Sequence, residues 1–235
     1  SFAGHLSLDN LVLIYDANQV TLDGFLTESF SEDVKMRYLA YGWDVFEIDG
    51  YDFDKIQEVF THIRDHQTKP CFVMMRTIIG KGSPHKAGTS KAHGSPLGAE
   101  EIEETKKALG LPEKDFYVPQ AVYQFFEAKL VKCAALEQKW KEMFRKWSEE
   151  HPDLYKLFLQ MAEKRLPDDL EEKLRAIEMK SPLATRIGSQ VVLNTLADLV
   201  PQLIGGSADL SSSDMTMMKR FPIIERDQYA GRNIK

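Results

Sequence analysis

The sequence is poor in cysteine, has no long apolar run and carries no basic excess, and each shortage closes off a class of protein. Its 235 residues include only Cys71 and Cys133. They lie far apart without metal-knuckle spacing, which fits a reducing, cytoplasmic compartment and argues against a disulfide scaffold. The longest apolar stretches, such as Leu11 to Tyr15, fall well short of the roughly 20 residues that cross a bilayer. No cleavable leader is visible. Thirty Lys and Arg against 36 Asp and Glu leave a formal charge of -6, so neither nucleic acid nor an anionic membrane is an expected partner. Repeats of fixed period and low-complexity tracts are also missing. With 43% hydrophobic and 28% charged residues, the chain can bury a core, which excludes global disorder and fibrous classes. Its length suits one large or two modest domains. It opens at Ser1 directly before strand-like sequence and stops at Lys235 without a tail; both ends read as cut.

Residues 11–15 (LVLIY), 43–48 (WDVFEI) and 71–79 (CFVMMRTII) are apolar, branched runs of the kind that form strands buried on both faces of a parallel sheet. Between the second and third, Asp54 to His66 reads as a helix with Ile56, Val59, Phe60 and Ile63 on one face. A shorter helix is expected near Glu32 to Tyr41. Strands alternating with helices predict an α/β fold with a parallel sheet. From Ala99 to about Lys180 the chain turns helical. Phe126, Leu130, Cys133, Leu136, Trp140, Phe144 and Trp147 fall at three- and four-residue steps, an apolar stripe read as packing. A second α/β start follows Ser181-Pro182, with a helix over Ala184 to Leu199 and a strand in LIGGSADL (203–210) leading to a polar loop.

In open parallel sheets, ligands bind beyond the carboxyl ends of the strands. Three segments end at such places: Asp16 to Val20, the 80–98 loop and Gly205 to Ser213. The 80–98 loop, GKGSPHKAGTSKAHGSPLG, carries five glycines and two prolines. Its N–H groups suit a diphosphate, with Lys81, Lys86 and Lys91 adding charge. It has neither the P-loop frame nor the spacing of a dinucleotide fingerprint. Asn18 offers an amide oxygen fit for a hard cation, but one amide cannot replace several waters, and pattern alone favours a turn residue tolerating left-handed geometry. His85 and His93 sit in the loop, where a lone histidine is more often solvated than functional. Pattern alone leads to an α/β protein with an anion-binding loop.

SFAGHLSLDNLVLIYDANQVTLDG, YGWDVFEIDGYD, RTIIGKGSPHKAGTSKAHGSPLG and LIGGSADLSSSDMT follow one another in the order found in transketolases. The chain resembles that family over essentially its whole length. The resemblance implies a thiamine diphosphate fold: residues 1–112 as the C-terminal part of the diphosphate-binding domain, 113–180 as a helical linker, and 181–235 as the start of the pyrimidine-binding domain. It implies that Asn18 gives its amide oxygen and Val20 its carbonyl to Mg2+ or Ca2+. The family's Gly-Asp-Gly would precede Ser1, which predicts poor cation affinity for this chain alone. His93 corresponds to the histidine between the cofactor diphosphate and the sugar, where an imidazole donates to phosphate and exchanges a proton near neutral pH. Ile79 corresponds to an apolar residue against the thiazolium side. Arg186 corresponds to the arginine on the substrate phosphate, a task for its planar fork, Ser213 to a serine on the same phosphate, and Asp209 to an aspartate near the cofactor at the subunit interface. His5 is left structural.

Relatives usually continue GGSADL with a proline and then Ser-Asn. Here the run is Leu210-Ser211-Ser212-Ser213-Asp214, so a looser loop is expected, with the Asp214 carboxylate repelling phosphate. The activity implied is transfer of a two-carbon ketol (glycolaldehyde) unit from a ketose phosphate to an aldose phosphate, with the cofactor as electron sink. The resemblance also implies a homodimer, sugar-phosphate substrates, and an inactive chain when alone. A dihydroxyacetone synthase, a 1-deoxyxylulose phosphate synthase, and a non-catalytic subunit retaining the fold are the other expectations. Nucleotide binding by the glycine-lysine loop is a weaker one, since the phosphate-loop frame is lacking.

Overall fold

The computed structural model describes residues 1–235. It comprises two compact units, Ser1–Tyr117 and Val118–Lys235. In the first, helix α1 (Phe2–His5) precedes strand β1 (Val12–Ala17), helix α2 (Val34–Ala40), strand β2 (Asp44–Asp49), helix α3 (Phe53–His66), strand β3 (Cys71–Arg76) and helix α4 (Ala99–Ala108). Asp33 and Asp52 cap α2 and α3, each side chain accepting from an N–H three residues on, which satisfies one orphan donor of the first turn.

The strands form a parallel sheet in the order β1-β3-β2, with Val12 and Asp44 both in register with Cys71. Alternate residues of β3 therefore feed two cores. Cys71 and Val73 pack with Ile48, Val59 and Ile63 on the α3 side. Phe72 and Met74 pack with Ala17 and Trp43, supported by Val34 and Tyr38 of α2, and the Tyr38 and Phe72 rings stack at 3.8 Å. Helices on opposite faces and parallel strands make this unit the α/β arrangement expected.

One expectation needs correction. The run at 11–15 is not buried on both faces. β1 pairs only with β3, which leaves Leu13 and Ile14 exposed, whereas Phe72 and Val73 of the central strand are buried. The strand at 71–79 also ends early, at Arg76, because the Ile78 N–H turns from the ladder to the Tyr51 hydroxyl at 2.9 Å.

The second unit holds helices α5 (Gln120–Glu150), α6 (Pro152–Ala162), α7 (Leu170–Arg175) and α8 (Thr185–Leu199), then strands β4 (Gly205–Gly206) and β5 (Asn233–Ile234). The packing expected of the aromatic stripe holds only at its end. Phe144 and Trp147 meet Tyr155 and Phe158 of α6, while Phe126, Leu130, Leu136 and Trp140 remain exposed. Lengths explain this: α5 runs about 46 Å and α6 about 16 Å. The strand read over 203–210 is two residues long. After Gly206, Ser207 turns its hydroxyl to Asp214 at 3.2 Å and the chain leaves the ladder. A side chain at Gly206 would meet the Ile234 carbonyl at 1.9 Å, so the close parallel pairing itself demands glycine. Both cysteines are free, Cys71 buried and Cys133 exposed. No helix is long and apolar enough to cross a membrane.

Candidate functional site

Because the three strands are parallel, their carboxyl ends share one edge of the sheet, and the segments leaving them are knitted together there. The Thr77 hydroxyl, just past β3, donates to the Asp16 carboxylate near the end of β1. The Asn18 amide donates to the other Asp16 oxygen at 3.4 Å. Asn18 Oδ1 accepts the Val20 N–H at 3.0 Å, which closes a tight side-chain turn. An amide oxygen has two lone pairs, so one remains for a further partner. Val20 bridges Phe25, but the bonds of that bridge run from Thr21 to Gly24 and from Leu26 to Gln19. Val20's own carbonyl takes no part in it. The residue in left-handed geometry is Gln19, at φ 64°, not Asn18, so the turn reading of Asn18 does not account for that residue's own backbone.

From the turn after β2, Tyr51 reaches across to the chain after β3. Its hydroxyl accepts the Ile78 N–H at 2.9 Å and donates to the Ile78 carbonyl at 3.2 Å, while Lys81 lies 3.0 Å from its ring centre. This clamp fixes the entry to the 80–98 loop. Ile79 follows directly, half-buried, its carbonyl accepting the Gly88 N–H at 2.8 Å. Gly80 and Gly88 have φ of 63° and 69°, geometry that strains other residues. The loop thus folds back on itself and ends in a 3-10 turn, Ser90–Ala92, capped by His93. His93 is half-buried, and its Nδ1 is shielded from solvent with no hydrogen-bond partner. Groups in that state are rare because water has been lost without replacement. In the same loop, His85 Nδ1 lies 3.1 Å from both Glu101 and Glu104 of α4.

Of the residues singled out in the sequence, Asn18, Val20, Ile79 and His93 lie in the first unit. The fold brings Asn18 and Val20 together in one turn. Asp16, Thr77 and Tyr51 were not singled out, because their contacts span 61 and 27 residues. The second unit carries Arg186, exposed in the first turn of α8, and Asp209 and Ser213 in the loop after β4. Ser213 donates its hydroxyl to the Leu210 carbonyl at 3.1 Å, and the N–H groups of Ser213 and Asp214 reach the same carbonyl at 2.9 and 2.8 Å. The loop expected to be loose is therefore closed by its own turn, and Asp214 accepts from Ser207.

Comparison with known proteins accords with this arrangement. The sequence model of the family described as transketolase, thiamine diphosphate binding domain, matches residues 1–167. A transketolase of Geobacillus stearothermophilus is 42% identical over 237 residues, spanning 100% of this chain and 36% of that protein. A transketolase of Aquifex aeolicus is 39% identical across 100% of this chain and 34% of its own length. Among solved structures, transketolase from Leishmania mexicana aligns with a TM-score of 0.88 at 33% identity, over 100% of this chain and 35% of that one. Transketolase from Pichia stipitis, solved in complex with sedoheptulose-7-phosphate, aligns with a TM-score of 0.85 at 32% identity, over 100% and 36%. The chain thus spans about a third of the length of the relatives it matches, and it belongs to the transketolase family, with residues 1–167 matching that family's thiamine diphosphate-binding domain.

Proposed function

We propose that the protein to which this chain belongs transfers a two-carbon ketol unit from a ketose phosphate to an aldose phosphate. The observation that carries this reading is the shielded, partnerless Nδ1 of His93 in a loop leaving the carboxyl edge of a parallel sheet. Leaving such an atom unpaired costs about 1–3 kcal/mol, a cost that a phosphate or sugar oxygen removes once the imidazole turns that nitrogen toward it. The Pichia relative's sugar-phosphate complex supports the substrate class.

The residues present fit the cofactor and its cation. The free lone pair of Asn18 and the carbonyl of Val20 are hard oxygen donors for Mg2+ or Ca2+, and the Asp16 contact sets which end of the amide is oxygen. Thiamine diphosphate, when bound, supplies the electron sink for breaking the carbon–carbon bond. His93 donates a hydrogen bond to the diphosphate and exchanges a proton with a sugar hydroxyl. Ile79 gives an apolar surface beside the thiazolium. Arg186 and Ser213 hold the substrate phosphate, and Asp209 lies near the cofactor.

The domain reading is 1–112, 113–180 and 181–235; the compact units divide after Tyr117, close to its first boundary, whereas the match to the family's thiamine diphosphate-binding domain continues through the helical segment to residue 167. The longer protein is read as a homodimer, in which the pyrimidine-binding part of one copy faces the diphosphate-binding part of the other. The test uses the longer protein. Calorimetry is expected to detect thiamine diphosphate binding only with Mg2+ or Ca2+ present. An acceptor panel of aldose phosphate, formaldehyde, and glyceraldehyde phosphate with pyruvate is expected to favour the first. His93→Ala is expected to lower kcat/KM by about 100-fold or more; unchanged activity in that variant removes His93 from the site.

A further inference from the structure

We propose that His85, Glu101 and Glu104 form a binding site for a Zn2+-class divalent cation, made of residues other than those assigned to the cofactor. The three donors come from two segments, the 80–98 loop and α4. Glu101 and Glu104 are three residues apart on α4 and share one face of it. Their Oε2 atoms each lie 3.1 Å from His85 Nδ1, and all three donor atoms fall within 4.8 Å of one another. A tetrahedral zinc ion with ligand bonds of about 2.0–2.1 Å separates its ligands by about 3.3 Å. The two separations from His85 therefore differ from those of an occupied site by a few tenths of an ångström.

The mixed donor set selects the metal. Two carboxylate oxygens and one imidazole nitrogen suit Zn2+ and its neighbours, while Mg2+ favours oxygen alone. With the imidazole neutral, two carboxylates balance the charge of a divalent ion. The Nδ1 and the two carboxylate oxygens stand at hydrogen-bond distance, and a metal ion would take the place of the hydrogen between them.

Glu101 is what separates this group from an ordinary surface cluster. It is only 8% exposed. Its Oε1 accepts from the Ser83 hydroxyl and, at 2.9 Å, from the His85 N–H. Those bonds aim Oε2 at the imidazole, as outer-shell partners orient metal ligands elsewhere. Lys86, next in the chain, bonds the Leu97 carbonyl at 2.5 Å. The fourth position faces solvent, since the His85 side chain is 71% exposed. An ion here fastens to α4 the loop that carries His93.

The test is titration of the 235-residue chain with Zn2+ by calorimetry and with Co2+ by visible absorption, whose intensity reports tetrahedral coordination. His85→Ala and Glu104→Gln alter exposed side chains, and circular dichroism checks that each variant keeps its helices. His62→Ala serves as control, because His62 and His66 form another pair of potential ligands one turn apart on α3. The proposal expects one saturable ion, a tetrahedral Co2+ spectrum, and affinity at least about tenfold weaker in both His85→Ala and Glu104→Gln but unchanged in His62→Ala. Absence of saturable binding overturns it. So does an affinity left unchanged by His85→Ala or by Glu104→Gln, or lost in His62→Ala. Any of these failures leaves the cofactor reading intact, since neither Asn18 nor His93 is involved.

Discussion

Asn233 has no chemistry to perform, yet few side chains in the molecule are used so fully. Completely buried, it accepts the Met218 N–H at 2.9 Å and donates to the carbonyls of Met218 at 3.0 Å and Phe221 at 2.7 Å. One amide thus satisfies the backbone of a loop that has no ladder of its own. Its neighbour Arg232 bonds the carbonyls of Leu203 and Val200 at 2.9 and 2.8 Å and lies over the Phe221 ring. Burial pulls that guanidinium below its ordinary pKa. Asn233→Ala leaves several buried groups unpaired and is expected to cost about 2–4 kcal/mol in urea unfolding of the second unit. Glu101 makes a prediction of a different kind. The Ser83 hydroxyl, then the His85 N–H, holds its carboxyl at about 2, well below the ordinary 4.5. The folded state thus favours the charged form, and the stability this gives is complete above about 4.5 and lost as pH falls toward about 2. The gap in urea midpoint between the wild type and Glu101→Gln is expected to be widest near neutral pH and to close across that acid window. A gap independent of pH refutes the linkage.

At the scale of elements, the order β1-β3-β2 decides which apolar run matters most. Phe72 is 2% exposed at the centre of the sheet, whereas Ile14 on the edge strand is 52% exposed. Phe72→Ala is expected to destabilise the chain by about 3–5 kcal/mol, and Ile14→Thr by about 0.5 kcal/mol or less, both read from denaturant midpoints. Comparable effects at the two positions would contradict the strand order. The sequence made the existence of all three strands legible, since each is a branched run bounded by breakers. It did not tell edge from centre, because LVLIY and CFVMM are alike locally and differ only in how many neighbours a non-local topology gives them. The same limit applies to the site. Asn18, Ile79 and His93 stood out through the wording of local motifs. Asp16, Tyr51 and Thr77 acquire their roles only when β3 is inserted between β1 and β2, which no local pattern encodes. The stripe on α5 was legible as apolar, but how much of it would be covered depended on the length of α6.

For the whole molecule, the feature with the largest consequence is the division of labour between the two units. On the proposed assignments the first unit carries Asn18, Val20, Ile79 and His93 for cation and cofactor, His93 facing the sugar as well, while the second carries Arg186 and Ser213 for the substrate phosphate and Asp209 near the cofactor. A net charge of -6 gives no general attraction for phosphorylated sugars, so recognition depends on local cations. Arg186 is the natural one, because its fork can pair two phosphate oxygens at once. The two groups of residues should then fail in different ways. In the longer protein, Arg186→Ala is expected to raise KM for a phosphorylated ketose by about tenfold or more, while thiamine diphosphate affinity stays within about twofold. With an unphosphorylated ketose the same variant should match wild type, because the lost contact has no partner there. Asn18→Ala should do the reverse, weakening cofactor and cation binding together without altering the preference for phosphorylated over unphosphorylated donor. If Arg186→Ala lowers activity equally on both donors, the arginine acts through structure rather than on the phosphate, and the assignment of substrate recognition to the second unit fails.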